Sequence, residues 1–218
     1  MMTSRVKTAK GRKLSSTLWI ERQLNDPYVQ RAKAEGYRSR AAYKLIEIDD
    51  RYRLLRRGQT VVDLGAAPGG WSQVAAKRIH ASADAPVVAI DILPMDPHPG
   101  VHVLTADFSE EVALEMVHTA LGGRQPDVVL SDLAPQTTGH RATDHLRIVH
   151  LVELAAEFAR STLAPRGVFL AKVFQGGTEA DLLAGLRRDF ETVRHVKPPA
   201  SRRQSPETYV LATGFRGG

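Results

Sequence analysis

The sequence predicts an open α/β fold, in which a mostly parallel, seven-stranded sheet ends in a C-terminal antiparallel hairpin. Three observations support this prediction. After about residue 58, short apolar segments alternate with longer amphipathic ones, which is typical of strands joined by helices. A glycine-rich turn follows the first apolar segment, at residues 65–70, as in nucleotide-binding α/β proteins. Only Pro198–Glu207 separates the last two strands, which is too short for a helical crossover.

The elements of the sheet region follow from hydrophobic periodicity. The predicted strands are Thr60–Leu64, Pro86–Ile90, Val101–Ala106, Asp127–Asp132, Gly167–Val173, Thr192–Lys197 and Thr208–Ala212. The predicted helices between them are Gly70–His80, Glu110–Leu121, Thr143–Leu163 and Thr178–Asp189.

The N-terminal quarter is predicted to be a basic helical extension. Helical spacing occurs at Thr17–Leu24 and Ala41–Leu55, with Ser39 as N-cap and Gly58 as C-cap of the second helix. Residues 1–57 contain 15 Lys/Arg and 6 Asp/Glu, a net charge of +9, whereas residues 58–218 carry −3. This asymmetry indicates a polyanionic partner, most simply a nucleic acid. Residues 1–15 taken alone fit a solvated tail equally well.

Length and composition limit the class of protein. A chain of 218 residues fits one domain, so we expect residues 1–57 and the α/β region 58–218 to form one unit. The absence of cysteine excludes disulfides and cysteine-based sites. No apolar run approaches the ~20 residues that span a bilayer, and the basic, polar residues 1–13 do not resemble a signal peptide. We expect a cytoplasmic monomer that does not bind membranes.

The sharpest local motif is DLGAAPGGW at residues 63–71, a strand end followed by a glycine turn and a helix start. Such a corner lets the backbone approach a ligand closely. The dinucleotide fingerprint G-x-G-x-x-G, aligned on Gly65, finds Ala67 in place of its middle glycine. Asp91, 26 residues further on, can hold a ribose in either kind of site. The Gly-Lys-Ser/Thr of a phosphate-binding P-loop is absent.

Four aspartates lie at or just past successive strand ends, where open α/β sheets bind ligands. They are Asp63, Asp91, Asp107 and Asp132. Each alone fits a loop residue or a helix N-cap. S-adenosylmethionine has no phosphate, and it needs a backbone turn for its methionine tail and carboxylates for its ribose and adenine. The four aspartates and the glycine turn together favour that ligand. The expected donor site comprises Asp63, Gly65, Gly69, Gly70, Trp71, Asp91, Asp107 and Asp132.

The acceptor side is indicated by a lysine inside an apolar segment. Lys172 lies within Val168–Phe174, and burial of an ammonium is costly unless the ammonium is paired. The alternative is a strand-edge lysine that reaches water. Asp132 ends the neighbouring predicted strand and is a candidate partner. Lys44 and Glu207 are further candidates, although each alone would be interpreted as a surface charge.

Six segments, taken in order, resemble the FtsJ/RlmE family of ribosomal RNA ribose 2′-O-methyltransferases. They are Asp26–Val29, Arg38–Leu45, Val61–Gln73, Asp91–Pro97, Asp132–Pro135 and Lys172–Gly176. The resemblance extends from about Ser15 to Gly214. It implies a Rossmann-like class I methyltransferase that uses S-adenosylmethionine. The implied substrate is a uridine ribose in the A-loop of large-subunit (23S-type) rRNA, methylated during ribosome assembly.

The resemblance also implies roles for particular residues. The family's Lys-Asp-Lys-Glu tetrad corresponds to Lys44, Asp132, Lys172 and Glu207. Its methyl-donor contacts correspond to Gly69, Trp71, Asp91, Asp107 and Asp132. Two segments depart from the family pattern: residues 136–138 are Gln-Thr-Thr instead of Asn-Met-Ser, and Ser-Pro at 205–206 differs from the usual residues before the last acid.

Two chemical roles are open for Lys172. As a neutral amine it is a general base for the ribose 2′-hydroxyl, with Lys44 as the nearby cation and Asp132 as the orienting carboxylate. As an ammonium it stabilises the developing alkoxide. No metal is expected, because the only regular histidine spacing, at residues 140, 145 and 150, does not fit one helical face. Arg31, Lys33, Arg38 and Arg40 are expected to contact RNA phosphates.

Three other functions remain as alternatives. A ribose methyltransferase that acts on transfer RNA or on an mRNA cap would use the same chemistry. A non-catalytic RNA-binding assembly factor on the same scaffold would need neither the donor turn nor the tetrad. An NAD-linked dehydrogenase is disfavoured by the broken glycine fingerprint.

Overall fold

The structure is a computed structural model that describes Thr17, Ile20, Glu21 and residues 23–134, 141–174 and 180–217. For residues 141–145 it describes the backbone alone. The helices are α1 (Pro27–Glu35), α2 (Ala42–Tyr52), α3 (Gly70–Ile79), α4 (Glu111–Ala120), α5 (Arg141–Thr162) and α6 (Ala180–Asp189). The strands are β1 (Val61–Leu64), β2 (Val87–Asp91), β3 (Val101–Thr105), β4 (Val128–Ser131), β5 (Val168–Phe174), β6 (Phe190–Val196) and β7 (Glu207–Phe215).

Within the described residues, seven strands form one sheet in the order β3-β2-β1-β4-β5-β7-β6. Strands β1 to β5 pair in parallel, and β7 runs antiparallel to both β5 and β6. The predicted α/β fold with a C-terminal antiparallel hairpin is therefore confirmed. The sheet order reverses between β1 and β4, and the crevice at their carboxyl ends is where this fold class binds ligands.

Apolar residues cover both faces of the sheet. Val62 and Leu64 of β1 pack with residues of α4, α5 and α6. Val61, one position away, faces the opposite side and packs with α2 and α3, because successive side chains of a strand point to opposite faces. All four residues of β1 and of β4 are buried, which explains why these strands are continuous apolar segments in the sequence.

The helices before the sheet differ from the prediction. Helix α1 was not predicted. Asp26 caps it, because one carboxylate oxygen accepts a hydrogen bond from the backbone N–H of Tyr28, and Gly36 ends it in the left-handed conformation. Helix α2 ends at Tyr52 and not at residue 55, because Arg53 adopts a left-handed conformation. Ser39 and Gly58 are therefore not its caps.

Parts of three predicted elements lie outside the described residues. The first is the basic arm at residues 1–16. The second is the predicted helix at 17–24, which is described at five positions, all helical. The third is the start of the predicted helix at 178–189, of which residues 178 and 179 lie outside the described part. Within the described residues, no helix is long and apolar enough to cross a membrane.

Candidate active site

Charged side chains from four separate segments meet beside the carboxyl ends of β4 and β5. Asp132 directly follows β4, Lys172 lies in β5, Lys44 lies in α2, and Glu207 opens β7. The register of the antiparallel pair β5–β7 places Phe174 opposite Glu207. The parallel and antiparallel parts of the sheet therefore meet at this cluster, and residues far apart in sequence become neighbours.

The four side chains form two crossed ion pairs. Lys172 Nζ lies 2.8 Å from Asp132 Oδ1 and 4.0 Å from Glu207 Oε2. Lys44 Nζ lies 2.9 Å from Glu207 Oε1 and 3.7 Å from Asp132 Oδ2. The lysine side chains are only 7–8% exposed. Two nearly buried ammonium groups are tolerated here because two carboxylates neutralise them.

Lys172 is held by a further acceptor, since its Nζ donates to the backbone carbonyl of Asp132 at 2.8 Å. Asp132 therefore binds the lysine through both its side chain and its main chain. The ammonium position is fixed relative to the end of β4, which is the crevice where a ligand is expected.

Two residues that sequence reasoning missed complete the cluster. The Tyr209 hydroxyl lies 2.8 Å from Asp132 Oδ1 and 3.3 Å from Glu207 Oε1. The Ser201 hydroxyl donates to Glu207 Oε1 at 2.9 Å. Tyr209 follows Glu207 by two residues in β7, so both share one face of the strand, and this spacing was an available signal. Ser201 lies in the β6–β7 loop, where no periodicity marks it.

The environment shifts the pKa values of two members of the cluster. Burial alone would raise the pKa of Glu207, but the positive charges of Lys44 and Lys172 and hydrogen bonds from Lys44 and Ser201 outweigh it and lower the pKa. Burial, together with the negative charges of Asp132 and Glu207, raises the pKa of Tyr209 well above its ordinary value. The site therefore contains an ionised carboxylate and a tyrosine that remains a hydrogen-bond donor.

The glycine turn passes close to its neighbours. Gly65 has a φ of +69°, and a Cβ added there would lie 2.2 Å from Leu133 Cδ2. A Cβ at Gly70 would lie 2.4 Å from Ser39 Oγ. The indole of Trp71 is buried, with its N–H donating to the Ala41 carbonyl at 2.9 Å. The turn is therefore packed closely against the loop after β4 and the segment before α2, and a side chain at residue 65 or 70 would displace that of Leu133 or Ser39.

Asp63 ends β1 at the base of the turn and is 1% exposed. Its Oδ2 accepts a hydrogen bond from Ser72 Oγ at 2.6 Å, while Oδ1 has no hydrogen-bond partner among the described residues. Burial, with smaller contributions from the charges of Asp132 and Asp91, raises the pKa of Asp63 to about 7. An unpartnered buried acceptor beside a glycine turn is the kind of group that a polar ligand satisfies.

The other two predicted donor-site aspartates bond to nearby backbone. Asp91 accepts from the N–H of Ala67 at 2.9 Å and from that of Leu93 at 2.8 Å, so it ties β2 to the glycine turn. Asp107 accepts from the N–H and the hydroxyl of Ser109, and these bonds lower its pKa. Asp107 therefore stabilises the loop after β3, as expected for the alternative in which each aspartate is simply a loop residue.

The four residues predicted to contact RNA fall into two groups. Arg31 and Lys33 are exposed on α1, and Arg31 pairs with Glu35 at 2.6 Å. The Arg38 guanidinium donates to the carbonyls of residues 96 and 97. Arg40 donates to the carbonyl of residue 200 at 2.6 Å and pairs with the carboxylate of residue 26 at 3.0 Å. The latter two guanidinium groups are thus engaged within the protein.

Some predicted features lie outside the described residues. These are the acceptor-loop segment 135–138 and the Gln-Gly at 175–176. Of the spaced histidines, only that at residue 150 has a described side chain. In the part of the chain that the structure describes, no cluster of three or more His, Asp or Glu side chains could hold a metal ion.

Comparison with known proteins identifies relatives along the whole chain. Residues 37–215 match the FtsJ-like methyltransferase family. A Bradyrhizobium sp. (strain ORS 278) protein named ribosomal RNA large subunit methyltransferase E is 64% identical over 218 residues, which are 100% of this chain and 94% of that protein. A Xanthobacter autotrophicus protein of the same name is 63% identical over 214 residues, 98% of this chain and 84% of that protein.

Solved structures agree with this assignment. A provisionally named ribosomal RNA methyltransferase from Plasmodium falciparum is 28% identical, covers 84% of this chain and 100% of that chain, and superposes with a TM-score of 0.74. The structure of a fibrillarin/Nop5p complex, at 18% identity, 82% coverage of each chain and a TM-score of 0.54, shares the fold. Because the family match spans the glycine turn, both lysines and both acids of the cluster, the chain belongs to the FtsJ-like methyltransferase family.

Proposed function

We propose that this protein transfers a methyl group from S-adenosylmethionine to the ribose 2′-hydroxyl of a uridine in large-subunit (23S-type) rRNA, in the A-loop, during ribosome assembly. The observation that carries the proposal is the crossed Lys44–Glu207 and Lys172–Asp132 cluster beside the glycine turn. The choice of rRNA is supported by relatives above 60% identity that are named for large-subunit rRNA.

The donor side fits S-adenosylmethionine in its polar chemistry. Asp63 offers a buried oxygen that has no hydrogen-bond partner in the described parts of the chain, and Asp91 and Asp107 supply further carboxylate oxygens at successive strand ends. Gly65 and Gly69 have φ values of +69° and +102°, a left-handed conformation that glycine adopts without strain and that shapes the turn. When bound, S-adenosylmethionine supplies an electrophilic methyl group. The residues of the turn and the aspartates then bind and orient it.

The acceptor side is assigned to the two lysines and two acids. We assign Lys172 Nζ to the acceptor hydroxyl; the side chain and the backbone carbonyl of Asp132 hold this nitrogen in place. As a neutral amine, Lys172 takes the hydroxyl proton; as an ammonium, it stabilises the negative charge that develops on the ribose oxygen. Lys44 and Glu207 form the neighbouring pair that sets the charge around it. A pH–rate profile separates the two roles, since only the first requires Lys172 to lose its proton.

The exposed side chains of Arg31 and Lys33, together with the basic residues 1–15, are proposed to contact RNA phosphates. Such contacts orient the substrate without choosing its sequence. The charges of Arg38 and Arg40 add to the same positive field, but their guanidinium groups are already bound to backbone carbonyls.

The test is to incubate the protein with methyl-labelled S-adenosylmethionine and large ribosomal subunits that lack the modification, and then to map the label by nuclease digestion. We expect label on the 2′-oxygen of one A-loop uridine. Parallel reactions contain naked 23S-type RNA, transfer RNA and capped RNA. Label confined to transfer RNA or to the cap, with none in large-subunit RNA, would reject the proposed substrate while leaving the fold and the family unaffected.

A further inference from the structure

One oxygen of Glu207 lies close to polar groups from three segments of the chain. Lys44 Nζ lies 2.9 Å from Oε1, the Ser201 hydroxyl 2.9 Å, and the Tyr209 hydroxyl 3.3 Å. The other oxygen, Oε2, lies 4.0 Å from Lys172 Nζ. Ser201 is 4% exposed, so its hydrogen bond is shielded from water. The orientation of the carboxylate therefore decides which lysine has Glu207 as its close partner.

The loop that carries Ser201 is anchored to the helix that carries Lys44. The N–H of Ala200 donates to Glu47 Oε2 at 2.6 Å, and its carbonyl accepts from Arg40 Nη2 at 2.6 Å. Ala200 is 1% exposed. Glu47 is in α2, and Arg40 lies two residues before the first residue of that helix. These bonds fix the position of Ser201 relative to Lys44, which lies in α2.

The anchor is itself supported from outside the site. Glu47 Oε1 accepts from the Tyr28 hydroxyl at 2.8 Å. Arg40 Nε lies 3.0 Å and Arg202 Nη2 3.2 Å from one carboxylate oxygen of Asp26. Asp26 is 8% exposed and also caps α1. Backbone and side-chain bonds thus hold both sides of residue 201, which is more than loop packing alone would require.

We propose that Ser201 is a positioning residue for the methyl-transfer site: its hydroxyl fixes Glu207 Oε1 towards Lys44 and leaves Asp132 as the close carboxylate of Lys172. The effect on rate rests on the proposed function, whereas the effect on Glu207 does not. Removal of the hydroxyl lets the carboxylate turn and pair with either lysine. The ion pairs then no longer distinguish Lys172 from Lys44.

The proposal predicts a change that loop packing would not produce. The hydrogen bond from Ser201 is one of the interactions that lower the pKa of Glu207, so its loss raises that pKa. The acidic limb of the pH–rate profile moves to higher pH in Ser201→Ala for the same reason. A residue that only packs the loop would lower stability without either shift.

The experiment compares Ser201→Ala with Ser201→Thr, which keeps the hydroxyl. The control is Ser161→Ala, which removes a 2.9 Å hydrogen bond to the Phe158 carbonyl near the end of α5. Glutamate carboxyl groups labelled with ¹³C are titrated by NMR, with the signal of residue 207 assigned from Glu207→Gln. Methylation of large-subunit RNA is measured at saturating substrates, and thermal melting checks folding.

In Ser201→Ala, we expect a higher Glu207 pKa and a kcat about tenfold lower, the effect of one hydrogen bond to a charged group. KM for RNA should change less than about twofold. Ser201→Thr should restore both values, and Ser161→Ala should leave both unchanged. A folded Ser201→Ala protein with an unaltered Glu207 pKa would overturn the inference. Lack of rRNA methylation by the wild-type protein would reject the proposed function, and the NMR titration would still decide the role of Ser201.

Discussion

At the scale of single residues, the surroundings of Asp63 are unfavourable for its negative charge. Its side chain is buried, one oxygen has no hydrogen-bond partner among the residues that the structure describes, and burial raises its pKa to about 7. An unfolded aspartate has a pKa of about 3.9, so between pH 4 and 7 the folded state binds a proton that the unfolded state has lost. Stability from this group is therefore present below pH 4 and is lost as the pH rises to 7.

Asp63→Asn removes this titration and retains an oxygen that can accept from Ser72. Between pH 5 and 7.5, we expect the wild-type free energy of unfolding to fall by about 3 kcal/mol more than that of the variant, from about 1.4 kcal/mol for each pH unit up to the raised pKa. Urea denaturation at the two pH values measures it. Parallel pH dependences in the two proteins would mean that Asp63 is not held in a raised-pKa environment.

The residues of the site differ in how far the sequence reveals them. Lys172 is visible because an ammonium inside an apolar segment needs a partner, whereas Lys44 and Glu207 depend on family resemblance, since nothing local distinguishes them from surface charges. Tyr209 could have been predicted from its spacing of two residues from Glu207. Ser201 could not, because a hydrogen bond across an irregular loop leaves no periodic pattern in the sequence.

At the scale of elements, the β1–α3 turn connects the donor and acceptor sides of the site. Gly65 lies against Leu133, the residue after Asp132, and an added Cβ would be 2.2 Å from Leu133 Cδ2. Gly58 also has a positive φ, +83°, but an added Cβ there would meet nothing within 4 Å. Alanine at residue 58 therefore tests backbone strain alone, whereas alanine at residue 65 tests backbone strain together with close packing.

We expect Gly58→Ala to cost about 1–2 kcal/mol, the usual penalty of a left-handed conformation, with normal activity. Gly65→Ala should cost about 1–3 kcal/mol more through overpacking, and it should lower kcat because the displaced Leu133 moves its neighbour Asp132. Denaturation midpoints and methylation rates test this. Equal stability and equal rates for the two variants would contradict the close approach.

The sheet elements were predictable because buried strands are apolar segments separated by amphipathic helices. Helix α1 was missed because it buries only Ala32, so no apolar stripe appears in its sequence. Its end signals, Asp26 and Gly36, are present nonetheless. Helix α2 was extended too far because Leu55, though outside the helix, is buried and continues the apolar pattern.

At the scale of the whole molecule, positive charge is concentrated at the N-terminal end. Residues 1–15 contain five Lys/Arg and no acid. If all five contact phosphates of a single strand, each contributes roughly 0.7 to the slope of log K against log salt concentration. Removal of residues 1–15 should therefore lower the magnitude of that slope by about 3.5. Titration of a labelled A-loop RNA at several KCl concentrations measures this.

Arg187→Gln is the control for that truncation, because Arg187 is an exposed residue of α6, outside the basic N-terminal quarter. Its salt slope should equal that of the wild-type protein. An unchanged slope in the truncated protein would show that residues 1–15 do not contact RNA phosphates. The proposed phosphate contacts would then be limited to residues such as Arg31 and Lys33.

We propose that the Lys172–Asp132 pair performs the acceptor chemistry next to a separate donor site. The most direct test is the single-turnover rate of rRNA methylation by Lys172→Met, measured together with its affinity for S-adenosylmethionine, with the exposed Lys77→Met as control. We expect a rate at least about 100-fold lower, in the range for loss of an acid–base group, with the S-adenosylmethionine Kd within about threefold of wild type. A rate close to that of the wild type would contradict the assignment of this site.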